Sequence, residues 1–158
     1  MVGAYQDAVL AVMEDYRRGA EVRVSVRWPL LVVLENGQRV RIENHGRAGR
    51  LVDLRKVMAQ VDQKNVGIKL NGDARDNEGG RFAENFAAIK DRLGDTLHMR
   101  MYKDTQFPYQ LQWNLLVDAG WDGWCFVEES VKVPDRVAAL IEEREMWEKM
   151  IRKAVERS

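Results

Sequence analysis

The sequence predicts an α/β protein made of parallel strand–helix units, about half of a β/α barrel, with an N-terminal helical or irregular extension. Three observations lead there. From about Gln38 onward, four short strand-like runs are each followed by a segment of helical periodicity. Strands that alternate with helices in this way call for a parallel sheet with right-handed crossovers, either open or closed as a barrel. No G-x-G-x-x-G or G-x-x-x-x-G-K-[ST] follows any strand, which removes the usual reason to favour an open nucleotide-binding sheet.

The units follow in order. Arg39 to Glu43 reads as a strand, and Leu51 to Asp62 as a helix with Leu51, Leu54, Val57, Met58 and Val61 on one stripe. Val66 to Asn71 is a second strand. Phe82, Phe86, Ile89 and Leu93 mark a second helix, which Gly94 is expected to cap. Thr96 to Lys103 alternates as a third strand, and Tyr109 to Ala119 is a third helix stopped by Gly120. Gly123 to Glu129 is the fourth strand. Pro134 is expected to open the last and longest helix, with Val137, Leu140, Ile141, Trp147, Met150, Ile151 and Ala154 on its buried side. Residues 1–37 are expected to pack on the sheet of residues 38–158. Within them, Tyr5, Val9, Val12, Met13 and Tyr16 form a helical stripe, and Val22, Val24 and Val26 alternate as a strand. Leu30 to Leu34 is either a strand entering an Asn36-Gly37 hairpin or a helix capped by Gly37, and the helix is favoured.

Composition narrows the function classes. The 158 residues suit one domain, 46% apolar and 32% charged. Lys and Arg number 25 against 25 Asp and Glu, so no overall charge draws the chain to nucleic acid or an anionic membrane. The single Cys125 excludes an internal disulfide framework and suits a reducing compartment. The longest apolar run, Trp28 to Leu34, is too short to span a membrane, and Met1 to Ala20 lacks the pattern of a signal peptide. A cytoplasmic location is the expectation.

In parallel β/α architectures the loops after the strands converge on one face, so polar residues at strand ends are the candidates for chemistry. Those residues are Glu43, Asn44 and His45; Asn71 and Asp73; His98, Arg100, Lys103 and Asp104; and Glu128 and Glu129. Ordinary roles stand beside each. Glu43 and Glu128 suit solvated or ion-paired acids, His98 a satisfied buried histidine, and Arg100 a structural ion pair with either glutamate. Lys103 and Asp104 fit a surface loop, and His45 fits substrate contact or simple exposure equally. Trp113, Trp121, Trp124 and Trp147 suit the core, with Trp121 the best placed to stack on a ligand.

The series IENHG (Ile42 to Gly46), NVGIKLN (Asn65 to Asn71), DRLGDTLHMRMYKD (Asp91 to Asp104) and AGWDGWCFVEE (Ala119 to Glu129) resembles the C-terminal half of the xylose-isomerase-like TIM barrels. In that sugar-phosphate isomerase/epimerase superfamily the matching strings are ENHG, VGICLDTGH, DRIGHVHLKD and GYDGWVSIE. The resemblance implies a divalent metal (Mg, Mn or Zn) on a Glu, an Asp, a His and a second Glu. By position the two glutamates fall on Glu43 and Glu128, the Asp on Asn71, and the second His of H-x-H on Arg100. Arg cannot ligate a cation and an amide is an uncharged ligand, which leaves Asp73 or His98 to stand in.

The resemblance further implies an isomerase or epimerase of carbohydrate metabolism, acting on a small sugar or sugar derivative. Glu43 and Glu128 would move a proton next to a carbonyl through an enediolate. Arg100 would replace the cation at the enediolate oxygens or bind an acidic group of the substrate. His45, Asn71, His98, Lys103 and Trp121 would contact substrate. A complete barrel takes eight such units and the chain has about half, so exposed sheet edges predict a homo-oligomer, an edge covered by the N-terminal segment, or a fragment of a longer product. The alternative function is a non-catalytic sugar-binding or interaction half-barrel that self-associates. A phosphodiester-cleaving relative ranks last, since such enzymes need more His and acidic ligands than His45 and His98 help supply.

Overall fold

The computed structural model describes residues 39–46, 49–100, 106–129 and 131–158. The chain divides into two compact units, Met1–Val40 and Arg41–Ser158, and nearly all described residues belong to the second. The helix and strand expected within residues 1–37 lie outside the described residues, as do Lys103 and Asp104.

The described elements are β1 (Val40–Glu43), α1 (Leu51–Met58), β2 (Val66–Asn71), a 3-10 segment (Ala74–Gly80), α2 (Phe82–Ala87), a 3-10 turn (Lys90–Arg92), β3 (Leu93–Met99), α3 (Tyr109–Asp118), β4 (Trp124–Val127) and α4 (Arg136–Arg157). The strands form one parallel sheet in chain order, β1-β2-β3-β4. Asn71 pairs with His98 across β2 and β3, and His98 with Phe126 across β3 and β4. This is the α/β architecture of alternating parallel strands and helices expected from the sequence. No helix among the described residues is long and apolar enough to cross a membrane.

Strand alternation separates two kinds of side chain. Ile68, Leu70, Leu97 and Met99 are fully buried, while Lys69, Thr96 and His98 between them are partly open. The core is completed by Leu51, Leu54 and Met58 of α1, Phe82 and Phe86 of α2, and Tyr109, Trp113 and Leu116 of α3. Phe107 meets Phe82 and Tyr109 edge-on, with ring centroids 4.8 and 4.9 Å apart.

Helix ends follow local chemistry. Gly120, at φ +62°, closes α3: its N–H donates to Val117 O at 2.9 Å and Trp121 N–H to Leu116 O at 3.0 Å, the paired bonds of a Schellman cap. The last helix begins at Arg136, not at Pro134. Asp135 is its N-cap, with a carboxylate oxygen accepting from Val137 N at 2.9 Å and Ala138 N at 3.0 Å.

Further sequence expectations are corrected, beginning with β3, which runs from Leu93 to Met99 rather than from Thr96, so that Leu93 belongs to a strand and not to a helix stripe. Gly94 caps no helix: it lies within β3, where a Cβ would run into the Arg41 side chain. Arg41 crosses that gap to pair with Asp95 at 2.6 Å. Helix α1 stops at Met58 rather than Asp62, although Val61 remains buried beyond its end. In α4 the expected buried residues Val137, Leu140 and Ile141 are exposed, whereas Glu143 is wholly buried and accepts from Trp147 Nε1 at 2.8 Å. Finally, Trp124 stands outside the core, 72% exposed on β4.

Candidate functional site

The carboxyl ends of the four strands bring Glu43, Asn71, His98 and Glu128 together. His98 Nδ1 lies 3.2 Å from Glu43 Oε1 and 3.1 Å from Glu128 Oε2. Asn71 Nδ2 donates to the same two oxygens, at 2.9 and 3.3 Å. Strand register explains the convergence. Asn71 and His98 are paired residues of neighbouring strands, and Glu128 N–H donates to Met99 O at 2.9 Å, carrying the β3–β4 ladder one residue past β4.

Two residues to which the sequence reading gave no specific role anchor this group. Lys69, two positions before Asn71 and therefore on the same strand face, pairs with Glu43 Oε2 at 3.3 Å. Its signal was a lone cation inside the otherwise apolar VGIKLN strand. Asn44 had appeared only as a strand-end polar residue. Its side chain locks β1 to β2, with Oδ1 accepting from Asn71 N at 2.5 Å and Nδ2 donating to Asn71 O at 2.8 Å. Asn44 Nδ2 also reaches Asp76 Oδ2 at 3.1 Å, and Asp76 Oδ1 accepts from Leu51 N, the first residue of α1. The buried amide just after β1 therefore fixes both the next strand and the next helix.

Electrostatics differ along this network. Burial pushes the Glu43 carboxyl up, but the hydrogen bonds and charges of Lys69 and His98 outweigh it and hold the group below its usual range. The Asp73 carboxyl is lowered by its hydrogen bonds to Arg75. At Asp76 desolvation wins and the carboxyl is raised.

Glu43, His98 and Glu128 each offer a ligand atom, all within 4.8 Å of one another. Asn71 completes the set in kind. Its Nδ2 faces the two glutamates, and its Oδ1 is buried with no hydrogen-bond partner. A half-turn of the amide would bring that oxygen toward two acceptors, an arrangement that only a cation between them makes favourable. Two carboxylates, an imidazole and an amide oxygen suit Mg, Mn or Zn. These residues fit a divalent metal.

The remaining candidates divide. His45 and Arg100 line a neighbouring hollow of about 350 Å³ with Asn71, Asp73 and Arg75. His98, rather than Arg100, shares the carboxylates, and Arg100 makes no ion pair with Glu43 or Glu128. Glu129 stays outside, accepting from Val131 N at 3.0 Å. Trp121 is remote from the cluster: its Nε1 donates to Gly94 O at 2.7 Å, near the opposite end of β3. No protein-family model matches the chain, and a comparison with curated proteins finds no match either.

Proposed function

We propose that the protein is a sugar or sugar-derivative isomerase or epimerase of the xylose-isomerase-like kind, with its active site at Glu43, Asn71, His98 and Glu128. The observation that carries this reading is the convergence of two glutamates on one histidine, within 3.2 Å, at the ends of parallel strands. The glutamates are not equivalent. Both oxygens of Glu43 are engaged, Oε1 by His98 and Asn71 and Oε2 by Lys69. Glu128 uses Oε2 alone and its side chain is 48% exposed, so Oε1 is free to take a proton next to a substrate carbonyl. Glu128, protonated by that step, returns the proton to the neighbouring carbon, while Glu43, kept ionised by Lys69 and His98, holds His98 and Asn71 in place.

A divalent cation on Glu43, His98, Glu128 and the turned Asn71 amide would supply positive charge at the enediolate oxygens. Arg100 then has a different task from the replacement of that cation. The half-buried Cys125 thiol is pushed up to about 12 by burial and by Glu143, which keeps it unreactive. A cytoplasmic location, the reading of a chain with a single cysteine, belongs to the same proposal.

The test is solvent deuterium incorporation into a panel of ketoses and sugar acids, together with metal analysis of the purified protein. Glu128→Gln is expected to lower exchange by about 10²–10⁴-fold, the usual worth of a positioned base. Exchange that survives the substitution unchanged removes Glu128 from the mechanism. A second reading, a non-catalytic sugar-binding module that self-associates, is favoured by the exposed Trp124 and Phe126 on β4, at the end of the described sheet.

A further inference from the structure

We propose that the hollow beside the glutamate cluster is a carboxylate-binding subsite, with Arg100 as its counter-ion, so that the substrate is a sugar acid rather than a neutral sugar. This rests on reading the adjoining cluster as a sugar site. The hollow holds two guanidinium groups, Arg75 and Arg100, and one carboxylate, Asp73. Asp73 is bonded to Arg75 and its charge is also felt by Arg100, so the three groups together carry one positive charge in excess. Arg75 Nε donates to both Asp73 oxygens at 3.0 Å, its backbone N–H donates to Oδ1 at 2.9 Å, and its Nη2 also reaches Gly46 O at 2.8 Å.

Arg100 is different. Its backbone N–H is pinned by Tyr109 Oη at 3.1 Å, while its guanidinium makes no hydrogen bond or ion pair with any described residue. One positive charge is therefore left over in a concave site, presented as a planar fork that matches a carboxylate.

Charge also selects among anions. A phosphate monoester carries about −1.5 to −2 at neutral pH, more than one guanidinium offsets with the Glu43 and Glu128 carboxylates close by. A carboxylate carries one charge and balances Arg100. Asn71 is the wall shared by hollow and cluster. A molecule whose carboxylate sits at Arg100 therefore extends past Asn71 toward the glutamates.

Calorimetric titration of the full chain, treated with chelator so that no metal contributes, tests this with D-glucuronate, D-glucose and inorganic phosphate. Glucuronate is expected to bind about tenfold or more tighter than glucose, the worth of a charge-assisted hydrogen-bonded pair. Arg100→Gln removes that difference, and Arg100→Lys, which keeps the charge but not the fork, retains part of it. Equal binding of glucuronate and glucose by the unaltered protein overturns the proposal, as does phosphate binding tighter than glucuronate, or an Arg100→Gln variant that still prefers the acid. Failure of the isomerase reading looks different: glucuronate binds through Arg100, yet no sugar of the panel exchanges deuterium.

Discussion

The two flanks of the described sheet are built differently. On the β1–β2 side a network of buried polar groups ties the elements together: Asn44 to both backbone groups of Asn71, Asp76 to Asn44 and Leu51, and Asn85 Nδ2 to Asp76 O at 2.8 Å. On the β4–α4 side large apolar residues stand in the open, with Trp124 at 72%, Phe126 at 47% and Val137 at 68% exposure. The site straddles the two. Glu43 comes from the tied flank and is immobilised by three partners, whereas Glu128 comes from the open flank and keeps an oxygen available. A fixed carboxylate and an accessible one are thus supplied by opposite sides of one sheet.

The contrast can be broken most directly with one substitution made twice. Phe82→Ala on the tied side removes a ring with no exposed surface and is expected to cost about 3–5 kcal/mol in denaturant unfolding. Phe126→Ala on the open side is expected to cost less than about 1 kcal/mol. Similar losses at both positions would mean that the flanks are equally packed.

Asp76→Ala follows in size, at about 1–3 kcal/mol, because it strips the partners from Asn44 and from the first N–H of α1. Its pH dependence sharpens the point. The folded Asp76 carboxyl is raised by burial, so its contribution is fully present below the ordinary value of 3.8 and is lost as pH rises through the folded value. The destabilisation caused by Asp76→Ala should therefore be greatest in acid and shrink toward neutrality, as read by urea unfolding across that range. A penalty that grows with pH would show that the ionised form is the one the network favours.

The smallest effect on stability, within about 0.5 kcal/mol, is expected for Leu140→Lys on the open face of α4. Its effect on assembly is the informative one. Sedimentation equilibrium is expected to show self-association of the unaltered chain that this substitution weakens, since exposed apolar surface at a sheet end invites a second copy. A unaltered chain that sediments as a clean monomer removes that role from β4 and α4.

Much of this was readable in the residues. The period of two in VGIKLN and the Gly120 stop after α3 are local features, set by strand pleating and by the left-handed conformation that glycine accepts, so β2 was placed to the residue and the end of α3 to within one. Strand ends named the pool of site residues for the same reason. Membership of the cluster was not readable. His98 and Arg100 sit two apart on the same strand phase, and only the register of β3 against β2 and β4 puts His98 between the glutamates and leaves Arg100 at the neighbouring hollow.

Gly94 and α4 show the same boundary. A glycine after a helical stripe reads as a cap, but it lies within β3, where the Arg41 side chain, brought from 53 residues away by the sheet, leaves no room for a Cβ. The apolar face of α4 reads as buried, but at its N-terminal half no described element covers it. By itself the sequence determined which elements form and in what order, because those depend on neighbours a few residues away. Which side chains meet, and which stay exposed, was decided only by tertiary structure, because that depends on register and on contacts between residues distant in the chain.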